Sequence, residues 1–132
     1  MSPLSPPGNL PKTILVIEDE ASLRLVIKIT LEKLGGWTVV TAASGEDGLY
    51  QARQAQPDAI LLDVMMPDMD GLTVLQQLRS QPQTCKTPVI LLTAKMMPLA
   101  PDEQTQFGIS GIIAKPFDPL QLTQQVVGIL HW

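Results

Sequence analysis

AILLDVMMPDMDG, from Ala59 to Gly71, is a short aliphatic run that ends in an acid and passes through a proline-containing loop. Ala59 to Leu62 is too short for a helix and reads as a buried strand, with Asp63 at its end. A helix follows from about Gly71 to Ser80, with Leu72, Leu75 and Leu78 on its buried side. The same alternation recurs along the chain, in the runs Thr13 to Ile17, Thr38 to Ala42, Val89 to Thr93 and Gly111 to Ala114. Together they make five buried parallel strands.

Between the first two strands, Leu23, Val26, Ile27, Thr30, Leu31 and Leu34 recur at helical spacing, and Gly35 and Gly36 supply the stop. Ser44 caps a second helix from about Gly45 to Ala55, with Glu46 and Asp47 in its first turn and Pro57 beyond its end. Pro98 and Pro101 delay the fourth helix and Gly108 ends it, which leaves about Asp102 to Phe107. Asp118 and Pro119 open a fifth helix that carries Leu122, Val126, Ile129 and Leu130. Right-handed crossovers reduce the topologies chiefly to a doubly wound α/β sheet of order 2-1-3-4-5, in which ligands bind at the carboxyl ends of strands one and three.

The chain has 132 residues, close to the roughly 150 expected of one domain. With 45% hydrophobic and 17% charged residues it can build a core without metal or disulfide staples. The net charge of −4 disfavours nucleic acid and anionic membrane surfaces as partners. One cysteine, Cys85, excludes an internal disulfide and a cysteine-based zinc site, and fits a reducing cytoplasm. Every apolar run is far shorter than the roughly 20 residues of a membrane helix. The first twelve residues contain four prolines and no signal-peptide core, so 1–12 read as a flexible leader and 13–132 as the folded unit.

The strand ends carry the chemistry. Strand one ends in Glu18 and Asp19 and strand three in Asp63; Thr93 ends strand four and Lys115 ends strand five. Taken singly, the acidic pair is a solvated turn, Lys115 a surface lysine and Thr93 a strand-end hydroxyl. Taken together they put three acids, a hydroxyl and an ammonium on one sheet edge, a set suited to phosphoryl transfer. Converging carboxylates repel unless a cation sits among them, and an all-oxygen site suits Mg²⁺.

These residues also resemble a family. LLDVMMPDMDG (Leu61 to Gly71), LLTA (Leu91 to Ala94), AKPF (Ala114 to Phe117) and the Glu18-Asp19 pair are similar to the receiver domain of two-component response regulators, a CheY-like, flavodoxin-like fold. The likeness spans about Lys12 to Leu130, and the intervals separating Asp19, Asp63, Thr93 and Lys115 match. The resemblance implies that Asp63 is the phosphoacceptor. Mg²⁺ would be held by Asp19, Asp63, Glu18 (often through water) and the backbone carbonyl of Met65. Lys115 and Thr93 would contact phosphoryl oxygens, and Lys115-Pro116 would be cis. The protein would then be a phosphoacceptor switch and not an enzyme in its own right, assisting its own Mg²⁺-dependent phosphorylation and dephosphorylation. Implied partners are a sensor histidine kinase or phosphotransfer protein upstream and an effector protein downstream, with the chain a monomer or a phosphorylation-linked dimer. Because the sequence stops after the fifth helix, the expectation is a stand-alone receiver.

Two departures from the family pattern carry expectations. Ile112 stands where receivers usually have Tyr or Phe, so the aromatic swing of the switch is expected to be muted. Met65 and Lys95 flank the path of attacking water, and Met65 has no group to orient it, so self-dephosphorylation is expected to be slow. His131 is expected in a frayed terminus, and Trp37 and Trp132 over core edges, with Trp132 also open to a dimer contact. Met65, Met66, Met96 and Met97 read either as loop packing or as an adaptable surface for partner helices.

Three other functions compete with this one. A phosphorylation-independent adaptor would be favoured by loss of a site residue, and none is lost. An aspartyl-nucleophile hydrolase needs an acid two residues after the nucleophile, where Met65 stands. A dinucleotide or flavin binder needs a glycine-rich turn after strand one, and VIEDEAS, Val16 to Ser22, has none.

Overall fold

Strands buried on both faces must be apolar throughout, and two segments meet that condition completely. In the computed structural model, which describes residues 11–66, 69–94 and 100–132, every residue of β3 (Ala59–Asp63) and β4 (Val89–Thr93) is buried. They form the centre of a sheet with β1 (Thr13–Ile17), β2 (Thr38–Ala42) and β5 (Ile109–Ala114). All neighbours pair in parallel, in the order β2-β1-β3-β4-β5. The helices are α1 (Ala21–Gly35), α2 (Gly45–Ala55), α3 (Gly71–Arg79), α4 (Pro101–Gln106) and α5 (Pro119–Leu130).

Side chains alternate across the sheet, which divides the core into two layers. Leu15, Ile17, Ile60, Leu62 and Leu91 meet Leu49 and Ala52 of α2 and Val74, Leu75 and Leu78 of α3. On the opposite face Ile14, Val16, Leu61, Ile90 and Leu92 meet Ile27 and Leu31 of α1 and Leu122 and Val126 of α5. The entries of α2, α3 and α5 are fixed by side-chain caps. Ser44 Oγ accepts from the Asp47 N–H (3.1 Å), Asp70 Oδ1 from Thr73 (2.8 Å) and Asp118 Oδ1 from Leu120 (2.9 Å). No helix among the described residues is long and apolar enough to cross a membrane.

β3 ends in Asp63, as expected, so its ladder holds the acid. Several expectations are corrected. β5 begins at Ile109 because a register shift opposite Val89 and Ile90 accommodates Ser110, which sequence pattern alone reads as a break. α4 starts and ends one residue early, with Pro101 in its first position. On α1, Val26 and Leu34 are exposed (40% and 56%), since only the line through Ile27 and Leu31 faces the sheet and α5. In α3, Val74 takes the fully buried place and Leu72 packs at the margin. His131 is no frayed end: it closes α5 in the left-handed conformation (φ 59°). Next to it, Trp132 meets Trp37 edge to face, with ring centroids 5.1 Å apart. Met65 is exposed and Met66 buried, so they do not share one surface. Residues 1–10 of the leader, Lys95, Met96, Met97 and Pro98 lie outside the described residues.

Gly71 is where the fold leaves no room at the site. Its N–H donates to Val64 O (2.9 Å), and an added Cβ would stand 2.7 Å from Val64 Cα and 3.1 Å from Asp63 O. Both neighbours are backbone and cannot swing aside. Gly71→Ala is therefore expected to lower the unfolding free energy by about 1–3 kcal/mol, as overpacking does. Urea unfolding measures this, and an unchanged midpoint would count against so tight a β3–α3 junction.

Candidate functional site

A parallel sheet sends every strand's carboxyl end to the same edge, and here β1, β3 and β5 deliver charge to one point. Glu18 follows β1, its N–H continuing the ladder to Ala42 O (3.0 Å). Asp63 ends β3, and the next N–H, of Val64, pairs with Leu92 O (3.1 Å). Lys115 follows β5, its N–H donating to Thr93 O (2.8 Å) at the end of β4. The ladders thus fix the backbone at Glu18, Asp63, Thr93 and Lys115, while Asp19 lies in the turn beyond β1.

Glu18 and Asp63 are almost wholly buried (1% and 3% exposed), an unfavourable place for two carboxylates. The Lys115 ammonium compensates, with Nζ 2.9 Å from Glu18 Oε1 and 3.3 Å from Asp63 Oδ1. Backbone donors add to this: Glu20 N–H donates to Glu18 Oε2 (3.2 Å) and Met65 N–H to Asp63 Oδ1 (3.1 Å). Asp19 is exposed, yet one oxygen from each of Glu18, Asp19 and Asp63 falls within a common 4.8 Å span. Such a set of hard oxygen donors, one of them open to solvent, fits a divalent cation. Thr93 is buried at the same edge, one strand from Asp63. The Lys115-Pro116 bond is cis, as expected.

Burial pushes the Glu18 carboxyl up to about 7 from its ordinary 4.5; the hydrogen bonds from Lys115 and Glu20 oppose the rise, and the Asp63 charge adds to it. For Lys115, burial alone would lower the ammonium, but the Glu18 hydrogen bond and the two carboxylate charges outweigh it and hold it above its ordinary value.

Sequence reading missed Arg24. From the second turn of α1 its Nη1 reaches back to Glu18 O (2.8 Å) and Asp19 O (3.2 Å). An arginine on a helix flank has no sequence signature that distinguishes this from a solvated charge. Also unforeseen is a hollow of about 370 Å³ beside Lys115, lined by Leu23, Ala94, Pro116, Phe117 and Pro119.

The sequence profile described as response regulator receiver domain matches residues 14–127. The chain belongs to this family. The receiver is 38% identical over 120 residues to the alkaline phosphatase synthesis transcriptional regulatory protein PhoP of Bacillus subtilis, a match covering 91% of this chain and 49% of that one. It spans about half the length of the curated relatives it matches first. Among solved structures it is similar to the chemotaxis protein CheY4 of Vibrio cholerae, with a TM-score of 0.81 and 33% identity over 90% of this chain and 98% of that one. It is also similar to the receiver domain of the sensor histidine kinase PA1611 of Pseudomonas aeruginosa, with a TM-score of 0.77 and 30% identity over 92% and 99%. That structure was described with a magnesium ion coordinated in its active-site cleft.

The raised Glu18 pKa has a consequence for stability in the absence of divalent ions. The folded receiver holds this proton more tightly than the unfolded chain does, so folding loses stability as pH rises from about 4.5 to about 7. The loss is at most of the order of 3 kcal/mol and is complete above that window. Glu18→Gln is therefore expected to be more stable than wild type at pH 8 and close to it at pH 5. Thermal or urea unfolding at the two pH values measures the difference; equal differences at both would contradict a buried, proton-retaining Glu18.

Proposed function

We propose that Asp63 accepts a phosphoryl group from a phosphohistidine on a sensor histidine kinase or phosphotransfer protein, and that the phosphorylated receiver changes its binding to an effector protein. The observation that carries this reading is the Lys115 ammonium set against both Glu18 and Asp63, with Asp19 beside them, at one sheet edge. An Asp63 oxygen attacks phosphorus, the phosphorus–nitrogen bond breaks, and the departing imidazole keeps the electron pair and takes a proton from solvent. The product is a mixed carboxylic–phosphoric anhydride. Its negative charge has moved outward from the carboxylate to the phosphoryl oxygens, where Lys115 supplies a fixed positive charge and Thr93 a hydroxyl donor. Glu18, Asp19, Asp63 and the Met65 carbonyl are the oxygen donors suited to Mg²⁺, which when bound neutralises charge on the incoming phosphoryl group.

The unit that does this is 13–132, and Lys12 is tied to its edge, its carbonyl accepting from the Thr38 N–H (2.9 Å). Its partners are proteins: the acidic balance disfavours direct contact with nucleic acid or an anionic membrane, and the work is cytoplasmic. The hollow beside Lys115 gives the donor protein an apolar foothold next to the acceptor. Ile112, half-buried on β5 opposite Leu91, offers no ring to swing, so the switch relies more on rearrangement of α4 and the loop before it.

Incubation with Mg²⁺ and a small acyl phosphate, followed by intact-mass measurement, is expected to show one added phosphoryl group on the wild type and none on Asp63→Asn. Equal labelling of both, or of neither, would overturn the assignment, and the second result would favour a phosphorylation-independent adaptor. The Met65 side chain is 73% exposed and has only a weak sulfur acceptor, so it does not orient an attacking water. The phosphorylated protein is expected to decay with a half-life of minutes or longer, and Met65→Asn to decay faster. A half-life of seconds in the wild type would refute this.

A further inference from the structure

We infer that Arg24 is a positioning residue for the acidic cluster, holding the backbone of the β1–α1 turn so that Glu18 and Asp19 point at one place. Three successive carbonyls in that turn are tied to this one residue. The Arg24 N–H donates to Glu20 O (2.9 Å), and the two hydrogens of Nη1 go to Glu18 O (2.8 Å) and Asp19 O (3.2 Å). The turn needs such a tie because the N-cap of α1, Glu20, makes no side-chain capping bond to the helix N–H groups. The carboxylates diverge from adjacent residues, Glu18 turned inward onto Lys115 and Asp19 left exposed, yet their oxygens still lie within 4.8 Å of each other and of Asp63. That convergence is a property of the turn's dihedral angles, and the guanidinium is a rigid fork suited to fixing them. Groups that orient a metal's ligands set its affinity although they never touch it.

The inference rests on the reading of the cluster as a Mg²⁺ site, and the experiment separates the two. Full-length wild type, Arg24→Ala and Arg24→Lys are titrated with MgCl₂ by calorimetry at pH 8. Amide hydrogen exchange is followed at Asp19 and Glu20 in the Mg²⁺-free proteins. Arg24→Ala is expected to bind Mg²⁺ about tenfold more weakly or worse and to exchange those amides faster, with the core strands still protected. Arg24→Lys keeps the charge and much of the aliphatic stem but loses the fork, and is expected to be weakened in the same direction. If Arg24 acted only as a nearby positive charge, Arg24→Ala would bind Mg²⁺ more tightly than wild type and Arg24→Lys would match wild type; either result overturns the inference. Unchanged affinity in Arg24→Ala beside a wild type that binds also overturns it, while leaving the metal assignment intact. A wild type that binds no Mg²⁺ overturns both.

Discussion

Two carboxyl groups, Glu18 and Asp63, are sunk at the ends of adjacent strands, and a single ammonium from two strands farther along the sheet lies within 3.3 Å of each. Without Lys115, both acids would be buried against each other with no side-chain cation among the described residues to offset them. With it, the site sits near a balance. The ammonium suffices to place the acids there, but burial still pushes Glu18 up to about 7. This charge arrangement depends on the order β2-β1-β3-β4-β5, because a parallel sheet brings the carboxyl ends of strands distant in sequence to one rim.

The core is built to keep that rim in place. The two central strands are buried along their whole length, so a shift of register would carry Asp63 or Thr93 away from its neighbours and expose aliphatic residues at once. Close packing reaches up to the site itself, where α3 begins against the backbone of Asp63 and Val64 with no space for a methyl group. Residues at the edge therefore have little freedom.

Much of this was legible beforehand, for a physical reason. Short aliphatic runs separated by helical periodicity admit few topologies, and the rule that ligands gather at strand carboxyl ends then names Glu18, Asp19, Asp63, Thr93 and Lys115 directly. What periodicity lacks is knowledge of which side of a helix is covered: Val26 and Leu34 share the spacing of Ile27 and Leu31 but not their neighbours. Local irregularity is equally hidden, since Ser110 is accommodated by a register shift that no hydrophobic pattern records. Arg24 escaped notice because its partners are main-chain oxygens, which every residue has.

Trp37 and Trp132 meet at the far end of the sheet, with the Lys12 ammonium 5.6 Å from the Trp132 ring centroid. Each stands next to an element end, beside β2, α5 and the residue before β1, and a strand of five residues, about 17 Å, separates that floor from the acidic rim. The chain has no other indole. Its intrinsic ultraviolet emission consequently gauges whether the base of the sandwich is shut and hardly senses events at the opposite edge, so one optical signal can follow folding while chemistry proceeds elsewhere.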